Sequence, residues 1–381
     1  MKYLFFMDVF IFGGVEKMLK DVTDELIENG EEVDLLLLDK SSENTYLEML
    51  SKKIKVHYLL DNAKKGRISQ KLSFWKNVCF PKAVLRRFDF NGYDCVICFK
   101  DDYQTNILAT KMPLPKIAWV HNLTQDFVKK PIKSIKYKFA FRAYSLVNKK
   151  YLKTFSKFDK VVFVSNHAKD ALLKRCKKPL NSTVIYNYIN VNEVMEKSSE
   201  KVADDFSADI NFCYVGRLTA EKGLFEIVDS FCRLPKTEKK VNLILVGEGY
   251  MKDELLEIVK KYDCESSVRF LGTKENPYPY IKNSDVILCA SHKESFGLVV
   301  LESLVLGKCV VSTCCGGPEE LIIDKKTGYL VKDYQEFHNL LKGLCSGEVP
   351  LLNGDMHNEK YKEFKKEFFK SFYKIVSEIK E

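Results

Sequence analysis

Short apolar runs rich in β-branched and aromatic residues recur along the chain, separated by helix-patterned stretches. In the first half they are YLFFM from Tyr3, VDLLLL from Val33, IKVHYLL from Ile54, DCVICF from Asp94, KIAWVH from Lys116 and KVVFVS from Lys160. Helical patterns fall between them at Val15 to Asn29, Asp102 to Lys111 and Ile132 to Phe155. A strand that is apolar along nearly its whole length must be covered on both faces, which a parallel sheet flanked by helices provides. The rhythm then restarts with NFCYVG from Asn211, NLILVG from Asn242, VRFLG from Val268, DVILCA from Asp285 and CVVST from Cys309. Two doubly wound, Rossmann-like α/β domains in tandem are the expected architecture. The strand-poor, polar stretch 191–208 is the expected linker, between an N-terminal domain at 1–190 and a C-terminal domain at 209–352. Residues 353–381 alternate charged and aromatic side chains and read as an amphipathic helix. Ligands of such sheets bind beyond the carboxyl ends of the strands, so two facing domains would enclose a cleft.

Size and composition agree with two cores. The chain has 381 residues, of which 46% are hydrophobic and 30% charged, enough apolar matter for two globular domains and too much for disorder. The run after Lys2 ends at Asp8 without a small-residue cleavage site, so it reads as a first strand and not as a secretory signal. No stretch approaches the roughly 18 apolar residues of a membrane span. A cytoplasmic protein, not integral to a membrane, is expected. Most of the twelve cysteines sit inside the apolar runs, where free thiols act as small hydrophobes in a reducing compartment. Cys95 and Cys98 form a C-x-x-C along one run, without a second pair at zinc spacing, and read as core.

The net charge is +9 (61 basic against 52 acidic residues), and its distribution is uneven. From Lys129 to Lys160 there are eleven basic residues and one acid, Asp159, interleaved with aromatics such as Tyr137, Phe141, Tyr151 and Phe155. That pattern suits an anionic surface, such as membrane headgroups, a lipid diphosphate or nucleic acid. It equally describes a long solvated helix whose aromatics pack inward, and one helix can serve both ends.

Several segments carry chemistry. In HKESFGLVVLESLVLG, Glu294 and Glu302 stand eight positions apart, with a helix expected to begin near Phe296 or Gly297. The backbone N–H groups of Phe296, Gly297 and Leu298 would then face a phosphate or sugar oxygen, and Gly297 would allow close approach. Glu302 lies in a helix apolar almost all round, so its carboxylate needs a hydrogen-bond partner. The two hydroxyls of a ribose would serve, as would a structural backbone N–H or an arginine. In YVGRLTAEKG, Arg217 ends a strand and Lys222 opens a helix; two such cations can converge on a diphosphate, or be ordinary surface charges. Gly13 and Gly14 follow the first strand and precede a helix, but do not make the G-x-G-x-x-G of a dinucleotide site. His121 ends the run KIAWVH, a position open to a catalytic or a structural role. Glu319 and Glu320 occupy the first turn of a helix after a Gly-rich turn, which the helix dipole favours on structural grounds. No D-x-D occurs, and the adjacent Asp101 and Asp102 read as a helix start.

Taken in order, FGGVE, WVHN, VFVSNHAK, VGRLTAEKG, LVGEGYMKDEL, VRFLG, the Glu294–Glu302 block with SLVLGKCVV, and GGPEELI followed by TGYLV resemble glycosyltransferase family 4. These are retaining enzymes of GT-B fold, also called glycosyl transferases group 1. The likeness is strongest from Val215 to Val331. It implies that Arg217 and Lys222 bind the diphosphate of a nucleotide-sugar donor and that Glu302 holds its ribose. It implies that Glu294, with Phe296, Gly297 and Leu298, contacts the donor sugar and phosphate. Gly13 and Gly14 would close over the phosphates, His121 would lie beside the donor sugar, and the C-terminal helix would cross back to the first domain. His121, Glu294, Arg217 and Lys222 are thus the expected catalytic set. Front-face attack assisted by the leaving phosphate would make catalysis a matter of positioning and electrostatics.

The expected activity is metal-independent, retaining transfer of a hexose or N-acetylhexosamine, with no cofactor beyond the donor, by default a UDP sugar. The acceptor would be a saccharide or a lipid-linked glycan of cell-surface polysaccharide assembly, not nucleic acid. Peripheral association with the inner face of the cell membrane through 129–160 would accompany it. A nucleotide-sugar epimerase of similar fold and a non-catalytic nucleotide-sugar-binding protein are the alternatives, and an NAD-dependent oxidoreductase fits least.

Overall fold

The structure, a computed structural model, describes residues 1–11, 13–40, 44–60, 77–121, 148–235, 238–352 and 358–380. The chain divides into two compact units, Met1–Tyr186 with Glu367–Glu381, and Asn187–Lys366.

The first unit is built on strands β1 (Lys2–Met7), β2 (Glu32–Asp39), β3 (Lys55–Leu60), β4 (Cys95–Cys98), β5 (Lys116–Val120), β6 (Lys160–Phe163) and β7 (Ser182–Val184). They form one sheet in the order β3-β2-β1-β4-β5-β6-β7, with every pair parallel. The apolar runs are strands because both of their faces are covered: Tyr3, Leu4, Phe5, Phe6 and Met7 are all fully buried. Cys95 and Cys98 take the same interior positions in β4, and all twelve cysteines are free thiols. Within this unit the C-terminal part of helix Asn358–Glu378 lies against the sheet. Phe368 stacks on Trp119 with ring centroids 5.2 Å apart, and Phe372 meets Tyr3 edge-on at 5.5 Å. Lys160 binds Glu378 at 3.0 Å, and Lys380 binds Asp94 at 2.7 Å.

The second unit carries β8 (Ile210–Val215), β9 (Val241–Val246), β10 (Val268–Gly272), β11 (Val286–Cys289), β12 (Cys309–Thr313) and β13 (Gly328–Val331), again all parallel. Their order is β10-β9-β8-β11-β12-β13. In both sheets, therefore, the direction of winding reverses once, between β1 and β4 and between β8 and β11. Loops leaving the carboxyl ends of those paired strands diverge, and a doubly wound sheet opens a ligand crevice there.

The stretch expected to be a linker departs from that description. Asn190 accepts a hydrogen bond from the Glu193 N–H at 3.2 Å and caps helix Val191–Lys197, which packs into the second unit through buried Val191 and Val194. Two apolar positions on one face suffice to hold a short helix that is otherwise polar. Of the basic stretch 129–160, residues 129–147 lie outside the described residues. The remainder begins as a helix at 148–155, with Tyr151 and Phe155 buried and Lys149, Lys150 and Lys153 exposed. Among the described residues no helix is long and apolar enough to cross a membrane.

Candidate functional site

The switch point of the second sheet collects most of the residues singled out in the sequence. After β8 the chain turns at Gly216 (φ 148°) and enters a short 3-10 turn, Ala220–Lys222. Gly223 in the left-handed region (φ 67°) then starts helix Leu224–Cys232. A Cβ on Gly223 would lie 1.9 Å from the carbonyl oxygen of Ala290, so glycine is what lets this turn press against the end of β11. Lys222 thus closes the 3-10 turn, where a position opening the helix was expected.

From that turn Lys222 reaches across the switch point to Glu294, Nζ to Oε2 at 2.5 Å. The side chains are 24% and 21% exposed, so water screens the pair only in part. Burial opposes the Lys222 ammonium, but Glu294 outweighs it and holds the lysine pKa above its usual value. Glu294 is itself fixed by backbone on both sides. Its N–H donates to the Cys315 carbonyl and its carbonyl accepts from the Gly317 N–H, each at 2.8 Å. The Gly-rich turn before helix Gly317–Leu321 is therefore a brace for the Glu294 loop: a Cβ on Gly317 would come within 2.3 Å of Phe296 Cα. Glu319 accepts from the Gly316 N–H at 2.9 Å, the structural first-turn role expected of it.

Phe296 is buried, and Gly297 (φ 92°) caps helix Leu298–Val305, with Leu298 half-buried at its first position. Buried Phe296 and left-handed Gly297 thus bring the N-terminus of this helix, with its partial positive charge, to the carboxyl edge of the sheet. One turn further in, Glu302 is only 5% exposed among Val300, Leu301, Leu304 and Val305. The Tyr278 hydroxyl donates to its Oε1 at 3.2 Å, a partner that is neither backbone nor arginine. Arg217 does not converge with Lys222. Its side chain is 73% exposed and pairs with Glu221 at 3.6 Å, so the two cations hold different carboxylates.

The first sheet repeats the device with the charges exchanged. Gly13, in extended backbone, precedes Gly14 at the start of helix Gly14–Glu28, and a Cβ on Gly13 would meet Glu16 Oε2 at 2.7 Å. Buried Glu16 binds Lys100 at 3.2 Å, and Asp8 binds the same ammonium at 3.1 Å. Asp8 follows β1 and Lys100 follows β4, so this cluster also bridges a switch point. The sequence signal for it was a lone lysine directly after the DCVICF run, at the sheet edge where ligands bind.

His121 follows β5, buried, with its ring 4.7 Å from that of Phe99. Its backbone N–H donates to Asp101 at 3.1 Å. Burial, reinforced by the Lys100 charge, pushes its pKa down to about 3, so the ring is neutral. Its Nε2 is buried without a hydrogen-bond partner among the described residues. Asp102 caps helix Tyr103–Ala109 by accepting from the N–H groups of Gln104 and Thr105, the helix-start role read for the Asp pair.

Two parallel sheets of this winding, each with its chemistry gathered at the carboxyl edge, define the GT-B class of α/β fold. Residues 12–193 match Glycosyltransferase Family 4 and residues 197–367 match Glycosyl transferases group 1, so the chain belongs to this glycosyltransferase family. The chain is 28% identical over 239 residues to an uncharacterized glycosyltransferase of Methanocaldococcus jannaschii, covering 60% of this chain and 58% of that protein. It is 33% identical over 185 residues to the N-acetylgalactosamine-N,N'-diacetylbacillosaminyl-diphospho-undecaprenol 4-alpha-N-acetylgalactosaminyltransferase of Campylobacter jejuni, covering 48% of each. The chain thus spans about half the length of the curated relatives it matches. The crystal structure of Anabaena HepE in complex with UDP and glucose superposes with a TM-score of 0.74 at 18% identity, covering 99% of this chain and 100% of that one. At that identity the likeness speaks for the fold alone.

Proposed function

We propose that this protein transfers a hexose or N-acetylhexosamine from a nucleoside diphosphate sugar, UDP-linked by preference, to a saccharide or lipid-linked acceptor, with retention and without a metal ion. The observation that carries the proposal is the Lys222–Glu294 pair at the second switch point, in the loop that leads into the helix Leu298–Val305 of buried Glu302. A nucleoside diphosphate needs three things from a protein: cations for the phosphates, backbone donors for phosphate and sugar oxygens, and a carboxylate for the ribose. Lys222 and Arg217, the helix start at Phe296, Gly297 and Leu298, and Glu302 supply them within one unit.

As the glycosidic bond breaks, charge accumulates on the departing diphosphate. An entering diphosphate competes with Glu294 for the Lys222 ammonium, and releases that carboxylate to accept from sugar hydroxyls. The solvent-exposed Arg217 can exchange Glu221 for the same charge. In the first unit, Gly13 and Gly14 leave room for close backbone approach at the sheet edge. Neutral His121 there offers Nε2 to a sugar hydroxyl as acceptor or donor, according to tautomer.

For the acceptor, the support is chemical: the Campylobacter relative is named for a diphospho-undecaprenol substrate, and the basic 129–160 stretch suits an anionic lipid surface. We infer the same acceptor class and peripheral membrane attachment. The reading is tested by incubating the protein with a panel of UDP and GDP sugars and a polyprenyl-diphosphate glycan in EDTA. Transfer of one sugar with an α-configured donor giving an α-linked product supports it. A product only on addition of a divalent metal, or one of inverted configuration, overturns the corresponding part.

A further inference from the structure

Tyr278 was not singled out in the sequence, yet it meets Glu302 directly. It opens the short helix Tyr278–Asn283, is itself only 5% exposed, and donates its hydroxyl to Glu302 Oε1 at 3.2 Å. Its start is fixed by the Asn276 side chain, which accepts from the Tyr278 N–H at 3.2 Å, and Asn276 in turn donates to the Lys197 carbonyl at 2.9 Å. The helix that carries Glu302 and the helix that carries Tyr278 are thus separate elements joined at a buried hydrogen bond. A carboxylate in an apolar helix is stable only when donors meet it, and a buried donor on one of its oxygens restricts how the group can turn.

We propose that Tyr278 is the positioning residue for the ribose-binding carboxylate: its hydroxyl sets the Glu302 carboxylate in the orientation that accepts both ribose hydroxyls of the nucleotide. The inference rests on the reading of Glu302 as the ribose ligand and adds to it the group that makes the recognition geometric. Tyrosine suits the task because its ring buries like phenylalanine while its hydroxyl donates without bringing a charge that would neutralise the carboxylate. The ring packs whether or not the hydroxyl is present, so loss of the hydroxyl alone should leave the fold in place and the carboxylate in place but unset.

The test is the discrimination between UDP or GDP and their 2',3'-dideoxy counterparts, measured by calorimetry on the full chain. The wild type is expected to prefer the ribonucleotide. Tyr278→Phe is expected to lose about tenfold of that preference, the order of one hydrogen bond to a charged group, with the dideoxy affinity unchanged. In a Glu302→Gln background, where there is no carboxylate charge left to orient, Tyr278→Phe is expected to have no further effect. The comparison of Glu302→Gln with the double variant reads what Tyr278 does besides meeting the carboxylate, and a further loss of preference in the double variant counts against the role. Wild-type discrimination retained in Tyr278→Phe while Glu302→Ala abolishes it overturns the role of Tyr278 alone. Discrimination unchanged in Glu302→Ala, or no nucleotide bound by the folded wild type, overturns the ribose reading and the inference with it.

Discussion

Lys222 and Glu294 meet at 2.5 Å across the point where the second sheet reverses its winding, though 72 positions separate them in the chain. The cation expected to hold phosphate and the carboxylate expected to hold sugar are one ion pair. Removing either member leaves the other partly buried and uncompensated. Lys222→Ala and Glu294→Gln are each expected to lower kcat/KM for sugar transfer by about 10²-fold, the order of removing one group that stabilises a developing charge. In a double-variant cycle on urea unfolding the pair should show a coupling of about 1 kcal/mol. Additive effects on unfolding would mean that the contact contributes nothing to the fold, and unchanged kcat/KM in both variants that it contributes nothing to turnover.

Glycines separate packing from chemistry. At Gly223, left-handed backbone and a carbonyl 1.9 Å from the added Cβ leave alanine no room. Gly223→Ala should cost about 3 kcal/mol, read as a lower urea midpoint of the second unit. Gly13 is in extended backbone, and the atom its Cβ would meet is the end of the flexible Glu16 side chain. Gly13→Ala should therefore melt within a few degrees of the wild type while displacing Glu16 from Lys100 and reducing turnover. Equal destabilisation by both variants would contradict this.

His121 titrates far below neutrality because burial and the nearby Lys100 charge both oppose its protonation. Its ring is neutral across the working range, so the pH profile of kcat/KM should show no inflection near 6.5 that is absent from His121→Asn. Stability follows the opposite sign of an ion-paired histidine. Between the ordinary value and about 3 the unfolded chain binds the proton and the folded chain does not, so stability falls as pH drops from about 6.5 toward 3. His121→Asn should flatten that slope. A histidine ring proton shifting with a midpoint between 6 and 7 in the folded wild type, assigned by His121 substitution, would contradict it.

Acid sensitivity has a second source at the opposite, amino-terminal side of the first sheet. Asp34 accepts from the Tyr93 hydroxyl at 2.5 Å and lies 3.3 Å from His57 and 3.5 Å from Lys2. Burial alone would raise its pKa, but these partners together hold it below the ordinary carboxylate value. The stabilisation is present above the unfolded value and is lost as pH falls through the folded one. Asp34→Asn should destabilise at pH 7 in urea titrations, and that difference should shrink as the pH is lowered through the folded carboxylate's titration, below the ordinary range.

The strands were legible in the sequence wherever an apolar run could be buried on both faces, as in YLFFM, DCVICF and NLILVG. β7, Ser182–Val184, escaped notice because three half-buried residues leave no run, and the helix Val191–Lys197 was hidden in a polar stretch by needing only two buried valines. The residue types of the second switch point were legible from their place after strands. Their pairing was not: nothing in a sequence reports that Lys222 faces Glu294, that Arg217 instead faces Glu221, or that Tyr278 reaches Glu302. The Asp8–Lys100–Glu16 cluster was missed for the same reason, since a lysine and two acids spread over 93 residues look like ordinary surface charges until the sheet order brings them together.

The central claim is that the switch point of the second sheet binds a nucleotide-sugar donor. Calorimetric titration of UDP and GDP sugars in EDTA, with the wild type, Glu302→Ala and Arg217→Ala, addresses it most directly. The account predicts that one nucleotide sugar binds the wild type, that Glu302→Ala weakens it at least tenfold through the ribose, and that Arg217→Ala weakens it through the diphosphate. Binding that is unchanged in both variants, or absent from a folded wild type, would contradict it.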